Sequence, residues 1–196
     1  MRKVIVNEWM SVDGVVQSAG ADDDTSNGFA HGGWHLPYFD DIFMHWVADG
    51  YRDAGGFLFG RQTYELLASY WPQAKPEEAL LAEPLNKLPK HVASTTLKEP
   101  LEWDNATLLP ADVPAGVHAL KAEDGGDLHV VGSTRLVTTL LEHNLVDGFR
   151  LVIDPLVLGG GKRFLSDDGV KRPLQLTESK VTSTGAILAD YTLASA

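Results

Sequence analysis

The sequence predicts an α/β fold, in which helices flank a mainly parallel β-sheet that has an antiparallel edge. Two patterns predict this fold. Short apolar runs alternate with segments of helical periodicity through most of the chain, and the tail alternates residue by residue around a Ser-Thr-Gly turn. The 196 residues suit a single domain, 1–196, because no repeat, linker or low-complexity tract divides them.

The individual elements follow from these patterns in chain order. Strands are short runs of Val, Ile, Leu and Phe bounded by glycine, proline or polar residues, and helices repeat apolar residues with helical spacing. The predicted strands are 4–6, 56–60, 91–94, 106–109, 128–132 and 149–153, with a hairpin over roughly 172–180 and 185–193. The predicted helices cover 38–50, 61–71, a short stretch around 80–85, 110–121, and the segment after 132 that carries Leu136, Val137, Leu140 and Leu141.

Composition excludes several classes of partner. The formal net charge is −11, which disfavours nucleic acid and anionic membrane surfaces. No apolar run is long enough to cross a membrane. The chain has no cysteine, which excludes disulfides and thiolate metal sites and leads us to expect a cytoplasmic protein. An anionic ligand would therefore need a few arginines, backbone N–H groups and helix N-termini.

Two predicted strand-to-helix junctions have this chemistry. Residues 60–63 (Gly-Arg-Gln-Thr) follow one strand, and residues 132–135 (Gly-Ser-Thr-Arg) follow another. Glycine allows close approach of the backbone, and the N–H groups of a first helical turn attract phosphate. The alternative is that both are ordinary tight turns. Neither has the spacing of a Rossmann fingerprint or a P-loop.

A third junction follows the strand 91–94. Ser94 and Thr95 at a strand end can hold a ribose 2′-phosphate, which would favour NADPH over NADH. A simple hydroxyl-rich turn explains these residues equally well.

Together these segments resemble the dihydrofolate reductase-like superfamily. The resemblance is closer to the reductase domain of the bifunctional riboflavin-biosynthesis deaminase/reductase and to its stand-alone bacterial relatives. The segments that carry it are 11–14 (Ser-Val-Asp-Gly), 33–40, 59–64, 131–136, 145–147 and 155–164, in family order. No single segment is specific, but the ordered set spans residues 2–193.

The resemblance implies an eight-stranded sheet and an NADPH-dependent reductase that acts on a flat heteroaromatic or conjugated C=N or C=O substrate. It also implies a homodimer. The implied cofactor-binding residues are Val12, Gly14, Gly60, Arg61, Thr63, Ser94, Thr95, Val131, Gly132, Ser133, Thr134 and Leu136. Of these, Val12 and Gly14 would belong to the loop that closes over the nicotinamide, and the rest would hold the phosphates and neighbouring groups.

A reductase also needs a proton donor. Asp13, Asp40 and Asp41 are the candidate carboxylates, with water as the alternative. Asp13 could instead be structural and bond the backbone of its own loop. Asn7 stands where the riboflavin enzymes usually carry a lysine, so a basic contact to a phosphorylated pyrimidine is missing. A non-catalytic NADPH- or ligand-binding protein that keeps the fold is therefore the alternative function. A hydrolase is less favoured, because no nucleophile elbow is present.

The substrate-binding candidates are Trp34, for stacking on a flat ring, and Gly160 with Lys162, for binding an anion. The run 159–163 (Gly-Gly-Gly-Lys-Arg) could also be a mobile turn. We expect Trp46 to be a core residue because of its helical spacing. We expect no metal site: His31, His35 and His45 are predicted to be exposed, and Asp22–Asp24 to be a solvated loop.

Overall fold

A computed structural model describes residues 1–20, 25–165 and 167–194. The strands are β1 (Val4–Ser11), β2 (Ala54–Gly60), β3 (Lys90–Ala93), β4 (Ala106–Leu108), β5 (Asp127–Val131), β6 (Gly148–Asp154), β7 (Leu174–Val181) and β8 (Ile187–Leu193). The helices are α1 (Asp41–Tyr51), α2 (Arg61–Tyr70), α3 (Ala79–Lys87), α4 (Val113–Ala122) and α5 (Thr134–Glu142), together with short 3-10 turns.

The strands form one eight-stranded sheet in the order β4-β3-β2-β5-β1-β6-β8-β7. β2 pairs in parallel with β3 and β5, and β3 pairs in parallel with β4. β8 runs antiparallel to both β6 and β7, so the tail forms the predicted hairpin at one edge. The predicted fold class is confirmed. None of the helices in the described ranges is long and apolar enough to span a membrane.

Several predicted boundaries were wrong for identifiable reasons. The first strand continues to Ser11, because the polar Asn7 and Glu8 are buried and stay in the sheet. The helix predicted from 38 begins at Asp41, since Pro37 lies in a 3-10 turn and Asp40 accepts a hydrogen bond from the N–H of Phe43 at 2.8 Å. The helix predicted from 110 begins after Asp112, whose carboxylate accepts from the N–H of Ala115 at 3.1 Å.

The chain forms two compact units. Unit 1 contains residues 1–6 and 47–147, and unit 2 contains residues 7–46 and 148–196. Fully buried side chains in unit 1 include Phe57, Phe59, Val92, Leu128 and Val130, and those in unit 2 include Val15, Val152 and Leu188. Trp46 is buried in unit 2, as predicted, with the guanidinium of Arg150 4.0 Å from its ring centroid. The single domain 1–196 stays a prediction.

In unit 1, a buried lysine ends helix α3. The ammonium of Lys90 donates to the carbonyls of Leu85, Asn86 and Leu88 at 2.8, 3.1 and 2.8 Å. These carbonyls belong to the last turn of α3 and its cap, where they have no partner within the helix. The ring of Trp103 lies 4.7 Å from the ammonium. Burial lowers the pKa of Lys90 to about 8, so its hydrogen bonds offset a real desolvation cost.

The first prediction concerns this lysine. Lys90→Met would remove the ammonium donor from three carbonyls, of which that of Asn86 keeps a hydrogen bond from Asn105 Nδ2 at 3.3 Å, and we expect it to lower the free energy of unfolding by about 2–3 kcal/mol. Urea denaturation measures the change. Lys87→Met is the matched control, because Lys87 lies in the last turn of α3 with an exposed side chain, and we expect it to change stability by less than about 0.5 kcal/mol. Equal effects of the two substitutions would contradict the capping role.

Candidate functional site

In unit 1, the three junctions that the sequence singled out lie at the same edge of the sheet. β2 is the middle strand of a parallel trio, with Gly60 in register with Ala93 of β3 and Leu58 in register with Val130 of β5. Because parallel strands end at the same edge, the segments that begin at 60, 94 and 132 are neighbours. This edge is where open α/β sheets bind ligands.

The starts of α2 and α5 are joined through one hydroxyl. Ser133 Oγ accepts from the N–H of Gly60 at 2.8 Å and donates to Thr63 Oγ1 at 2.9 Å. A Cβ on Gly60 would lie 3.4 Å from Ser133 Oγ, in van der Waals contact, so the two junctions pack closely at this point. Gly132 and Ser133 both have positive φ, +56° and +61°. The sequence predicted each junction, but the hydrogen bonds between them come from the pairing of β2 with β5.

Both helix starts have the character of an anion site. Over the residues described here, neither α2 nor α5 has a side chain that caps its first turn. The N–H groups of a first turn have no partner within the helix and carry the positive end of its dipole. Arg61 is paired with Glu65 at 2.8 Å on the exposed surface of α2, whereas Arg135 lies exposed at the start of α5. The arrangement can bind phosphate groups.

The third junction is a hydroxyl-bonded turn. Ser94 Oγ accepts from the N–H groups of Thr96 and Leu97 at 3.1 and 3.0 Å, and Thr95 is exposed. This favours the turn as the structural role of Ser94. A contact of Ser94 and Thr95 with a 2′-phosphate stays a prediction.

In unit 2, the Ser-Val-Asp-Gly motif forms a clamp around Asp13. The carboxylate accepts from Ser11 Oγ at 2.7 Å and from the N–H groups of Leu158 and Gly159 at 3.1 and 3.0 Å. These hydrogen bonds, that of Ser11 foremost, lower the pKa of Asp13 to about 2. Arg163 also donates to the carbonyl of Asp13. These contacts favour the structural alternative for Asp13, and its catalytic role stays a prediction.

The same clamp fastens the loop 12–14 to the segment after β6. The N–H of Val12 donates to Leu156 O at 3.0 Å, and the N–H of Phe164 donates to Gly14 O at 3.0 Å. The glycine run 159–161 does bind an anion, but the anion in contact with Gly159 is the carboxylate of Asp13. Gly160 and Lys162 are exposed, so their contact with a substrate stays a prediction.

The other predicted carboxylates lie around the start of α1. Asp40 caps the helix and accepts from the N–H and the hydroxyl of Ser183 at 2.7 and 2.6 Å. Burial alone would raise the pKa of Asp40, but its hydrogen bonds together outweigh burial and lower it. Asp41 is exposed in the first turn of the helix. The role of Asp40 or Asp41 as a proton donor stays a prediction.

The sequence suggested Trp34 for stacking on a flat substrate ring, but in the structure this side chain is buried in unit 2. Its ring is only 6% exposed and packs with Val15 and Phe29, and its indole N–H donates to Gln17 O at 2.8 Å. Its contacts are therefore those of a core residue, and stacking on a substrate stays a prediction.

Sequence reasoning missed three polar residues of unit 2, namely Glu8, His35 and Asp154. His35 was predicted to be exposed, and this was wrong: it is 5% exposed, and its Nδ1 lies 2.7 Å from Asp154 Oδ2. Glu8 is also buried, with Oε1 accepting from the N–H of Trp9 at 3.2 Å, and burial raises its pKa to about 8. The sequence signal for Glu8 is a carboxylate that interrupts the first apolar strand.

The remaining metal candidates give no cluster. His31 and His45 are exposed, as expected. Within the ranges that the structure describes, no group of three or more metal-ligating side chains is present. Asp22, Asp23 and Asp24 lie outside the described residues.

The sheet order and the three junctions define an α/β protein with the dihydrofolate reductase fold. The chain is similar to a dihydrofolate reductase from Enterococcus faecalis in complex with NADP(H), with a TM-score of 0.58 and 12% identity over 98% of this chain and 97% of that one. It is also similar to a pyrimidine reductase-like protein from Corynebacterium diphtheriae, with a TM-score of 0.69 and 12% identity over 100% and 93% of the two chains.

The chain belongs to the RibD C-terminal domain family, whose model matches residues 2–188. It is 32% identical over 137 residues to the uncharacterized protein YyaP of Bacillus subtilis, covering 68% of this chain and 71% of YyaP. The predicted superfamily is thus confirmed. Membership in this family supports a reductase-type function.

The second prediction concerns the ionisation of Glu8. Its pKa is about 8 in the folded chain against an ordinary value of 4.5, so the folded state holds this proton more tightly than the unfolded state. The stability that the neutral carboxyl allows is fully present below about pH 4.5 and is lost as the pH rises through about 8. Glu8→Gln removes this loss, at most about 1.4 kcal/mol per pH unit.

The measurement is the free energy of unfolding from pH 5 to pH 9 for the wild type, Glu8→Gln and the control Glu142→Gln, whose side chain is exposed. We expect the wild type and the control to lose stability relative to Glu8→Gln across this range. Parallel curves for all three proteins would show that Glu8 is not held neutral.

Proposed function

We propose that this protein is a cytoplasmic, NADPH-dependent reductase that acts on a small flat heteroaromatic or conjugated C=N or C=O substrate. The observation that carries the proposal is the joined pair of uncapped helix starts in unit 1, beside the Ser94 turn. Membership in the RibD C-terminal domain family supports the same reaction class. When bound, the nicotinamide would supply the hydride.

The residues present fit the phosphates of a dinucleotide. In the described residues, the first turns of α2 and α5 offer N–H donors to which no N-cap side chain is hydrogen-bonded. Arg135 adds a cation in a chain of net charge −11. The task of these groups is to bind and orient the cofactor.

The other candidate cofactor-binding residues are proposed on two separate grounds, their position in the junctions or the family resemblance. Arg61, Thr63, Val131, Thr134 and Leu136 all belong to the two junctions and are proposed on that ground. Val12 and Gly14 belong to the loop that Asp13 fastens in unit 2, and their contact with the nicotinamide is proposed from the family resemblance.

One observation favours the second candidate, a protein that binds the ligand without turnover. The carboxylates of Asp13 and Asp40 accept several hydrogen bonds each from the chain itself, and both have lowered pKa values. At neutral pH, neither carboxylate holds a proton to donate. A reductase therefore needs its proton from another group or from water.

The third prediction tests the cofactor site. Tryptophan fluorescence titrated with NADPH and with NADH should show saturable binding, with NADPH bound more tightly. Arg135→Gln should weaken NADPH about tenfold, because it removes a charge-assisted contact to phosphate. Thr95→Ala should weaken NADPH but not NADH. Arg52→Gln is the control and should leave both affinities unchanged, because Arg52 is exposed and forms its ion pair with the neighbouring Asp49. If neither NADPH nor NADH bound, the proposal would be overturned.

We also propose that the protein forms a homodimer through the sheet face of unit 2 that carries Phe149. Cross-strand register places Phe149, Tyr191 and Leu176 side by side, with Leu174 beside Leu193. Further along the same face, Ile153, Ile187 and Val181 are in register. No charged side chain interrupts these rows.

The exposure of this face supports self-association. Leu176 is 51% exposed, Val181 66% and Ile187 45%. A largely apolar cavity of about 290 Å³ lies where this sheet meets neighbouring loops; it is lined by the strand residues Met10, Phe149, Leu151 and Leu174 and by the loop residues Gly14, Arg163, Phe164 and Leu165. An exposed apolar surface with its own cavity is typical of a protein interface. A second copy fits because, with a net charge of −11 on each chain, two copies repel least where they meet through uncharged rows.

The fourth prediction follows from this face. Sedimentation velocity at micromolar concentration should show a dimer for the wild type, and Leu176→Glu combined with Val181→Glu should give a monomer. Gln175→Glu adds charge to the opposite face of the same strand and should remain dimeric. A wild-type monomer, or a dimer that survives the double substitution, would contradict the proposed interface.

A further inference from the structure

The buried pair of His35 and Asp154 in unit 2 is incompletely bonded. Nδ1 of the ring lies 2.7 Å from Asp154 Oδ2, and the two side chains are 7% and 0% exposed. Among the described residues, His35 Nε2 and Asp154 Oδ1 have no hydrogen-bond partner. A buried polar atom without a partner costs about 1–3 kcal/mol, so native proteins rarely keep one without a use.

The ring of His35 is surrounded by aromatic side chains. Its centroid lies 4.8 Å from that of Phe43, 6.1 Å from that of Phe39 and 6.5 Å from that of Trp9, with the rings meeting edge to face. Phe39 is 44% exposed and Ile42 is 42% exposed, so this cluster reaches the surface through apolar side chains. A flat ring entering here would meet aromatic edges and one imidazole nitrogen.

The pair also lies directly before the segment that holds the loop 12–14. Asp154 ends β6, and Leu156, two residues later, accepts the hydrogen bond from the N–H of Val12. Leu158 and Gly159 then hold Asp13. The residues that hold the loop therefore lie two, four and five positions after Asp154.

We infer that His35, oriented by Asp154, donates the proton to the substrate of this reductase, and that Trp9, Phe39 and Phe43 form the wall against which the flat substrate lies. The inference rests on the proposed function and deepens it. The substrate class is a planar heterocycle whose C=N or C=O heteroatom accepts a hydrogen bond from Nε2. Asp13 and Asp40 are left to their structural hydrogen bonds.

Reduction of C=N or C=O adds a hydride to carbon, and the π electrons pass to the heteroatom. The heteroatom takes the proton from Nε2 of the protonated ring, which leaves neutral imidazole with Nδ1–H donated to Asp154. Water returns the proton to Nε2 before the next turnover. Asp154 keeps Nδ1 protonated throughout and so keeps Nε2 as the reacting atom.

The fifth prediction uses pterin as the probe, a flat heterocycle with adjacent C=N, C=O and N–H groups. The full chain, labelled with ¹⁵N-histidine, is titrated with pterin while the ring nitrogens are observed by NMR, with His35 assigned from His35→Gln. We expect the Nε2 resonance of His35 to move saturably and that of His45 to stay unchanged. His35→Gln and Asp154→Asn should weaken pterin at least tenfold by tryptophan fluorescence, and His45→Gln, exposed on α1, should not.

A His35 resonance that does not respond to millimolar pterin, or equal pterin affinity in His35→Gln, would overturn the inference. A merely structural role for His35 would not produce a ligand-dependent shift at Nε2. NADPH titrated in parallel separates the two proposals. Binding of NADPH without any pterin effect at His35 refutes the proton donor and leaves the reductase, whereas pterin binding at His35 without NADPH binding refutes the reductase and keeps the heterocycle site.

Discussion

Parallel pairing of β2 with both β3 and β5 is the constraint on which the candidate cofactor site depends. Strands that run in the same direction end at the same edge, so the helices that follow β2 and β5 begin side by side. Ser133 then bonds to both Gly60 and Thr63, which joins the two helix starts. Each start is an ordinary turn when taken alone, and only their juxtaposition offers two sets of first-turn N–H groups to one ligand.

In unit 2, the carboxylate of Asp13 joins the loop 12–14 to the segment after β6. In this chain of net charge −11, the carboxylate of Asp13 accepts hydrogen bonds from the hydroxyl of Ser11 and from the backbone amides of Leu158 and Gly159 in the glycine-rich turn. The anion that this glycine-rich run binds is therefore a carboxylate of the same chain. The same hydrogen bonds, that of Ser11 foremost, lower the pKa of Asp13 to about 2.

Buried polar groups fall into two kinds in this protein. Lys90 is fully satisfied by three carbonyls and ends a helix, which is a structural role. Glu8, His35 and Asp154 each keep a buried oxygen or nitrogen without a partner among the described residues. An unpaired buried group costs free energy, which we assign for His35 and Asp154 to the inferred substrate contact, whereas Glu8 is held as a neutral carboxyl.

The sequence by itself determined the α/β class, the strand and helix order, the hairpin and the individual junctions, because apolar periodicity, glycine and helix-start residues are local signals. It misplaced the starts of α1 and α4, where Asp40 and Asp112 cap later than periodicity indicates. Only the tertiary structure buried His35 against Asp154, 119 residues away, and turned Asp13 toward Leu158 and Gly159. Such contacts depend on which strands become neighbours, and no local pattern carries that information.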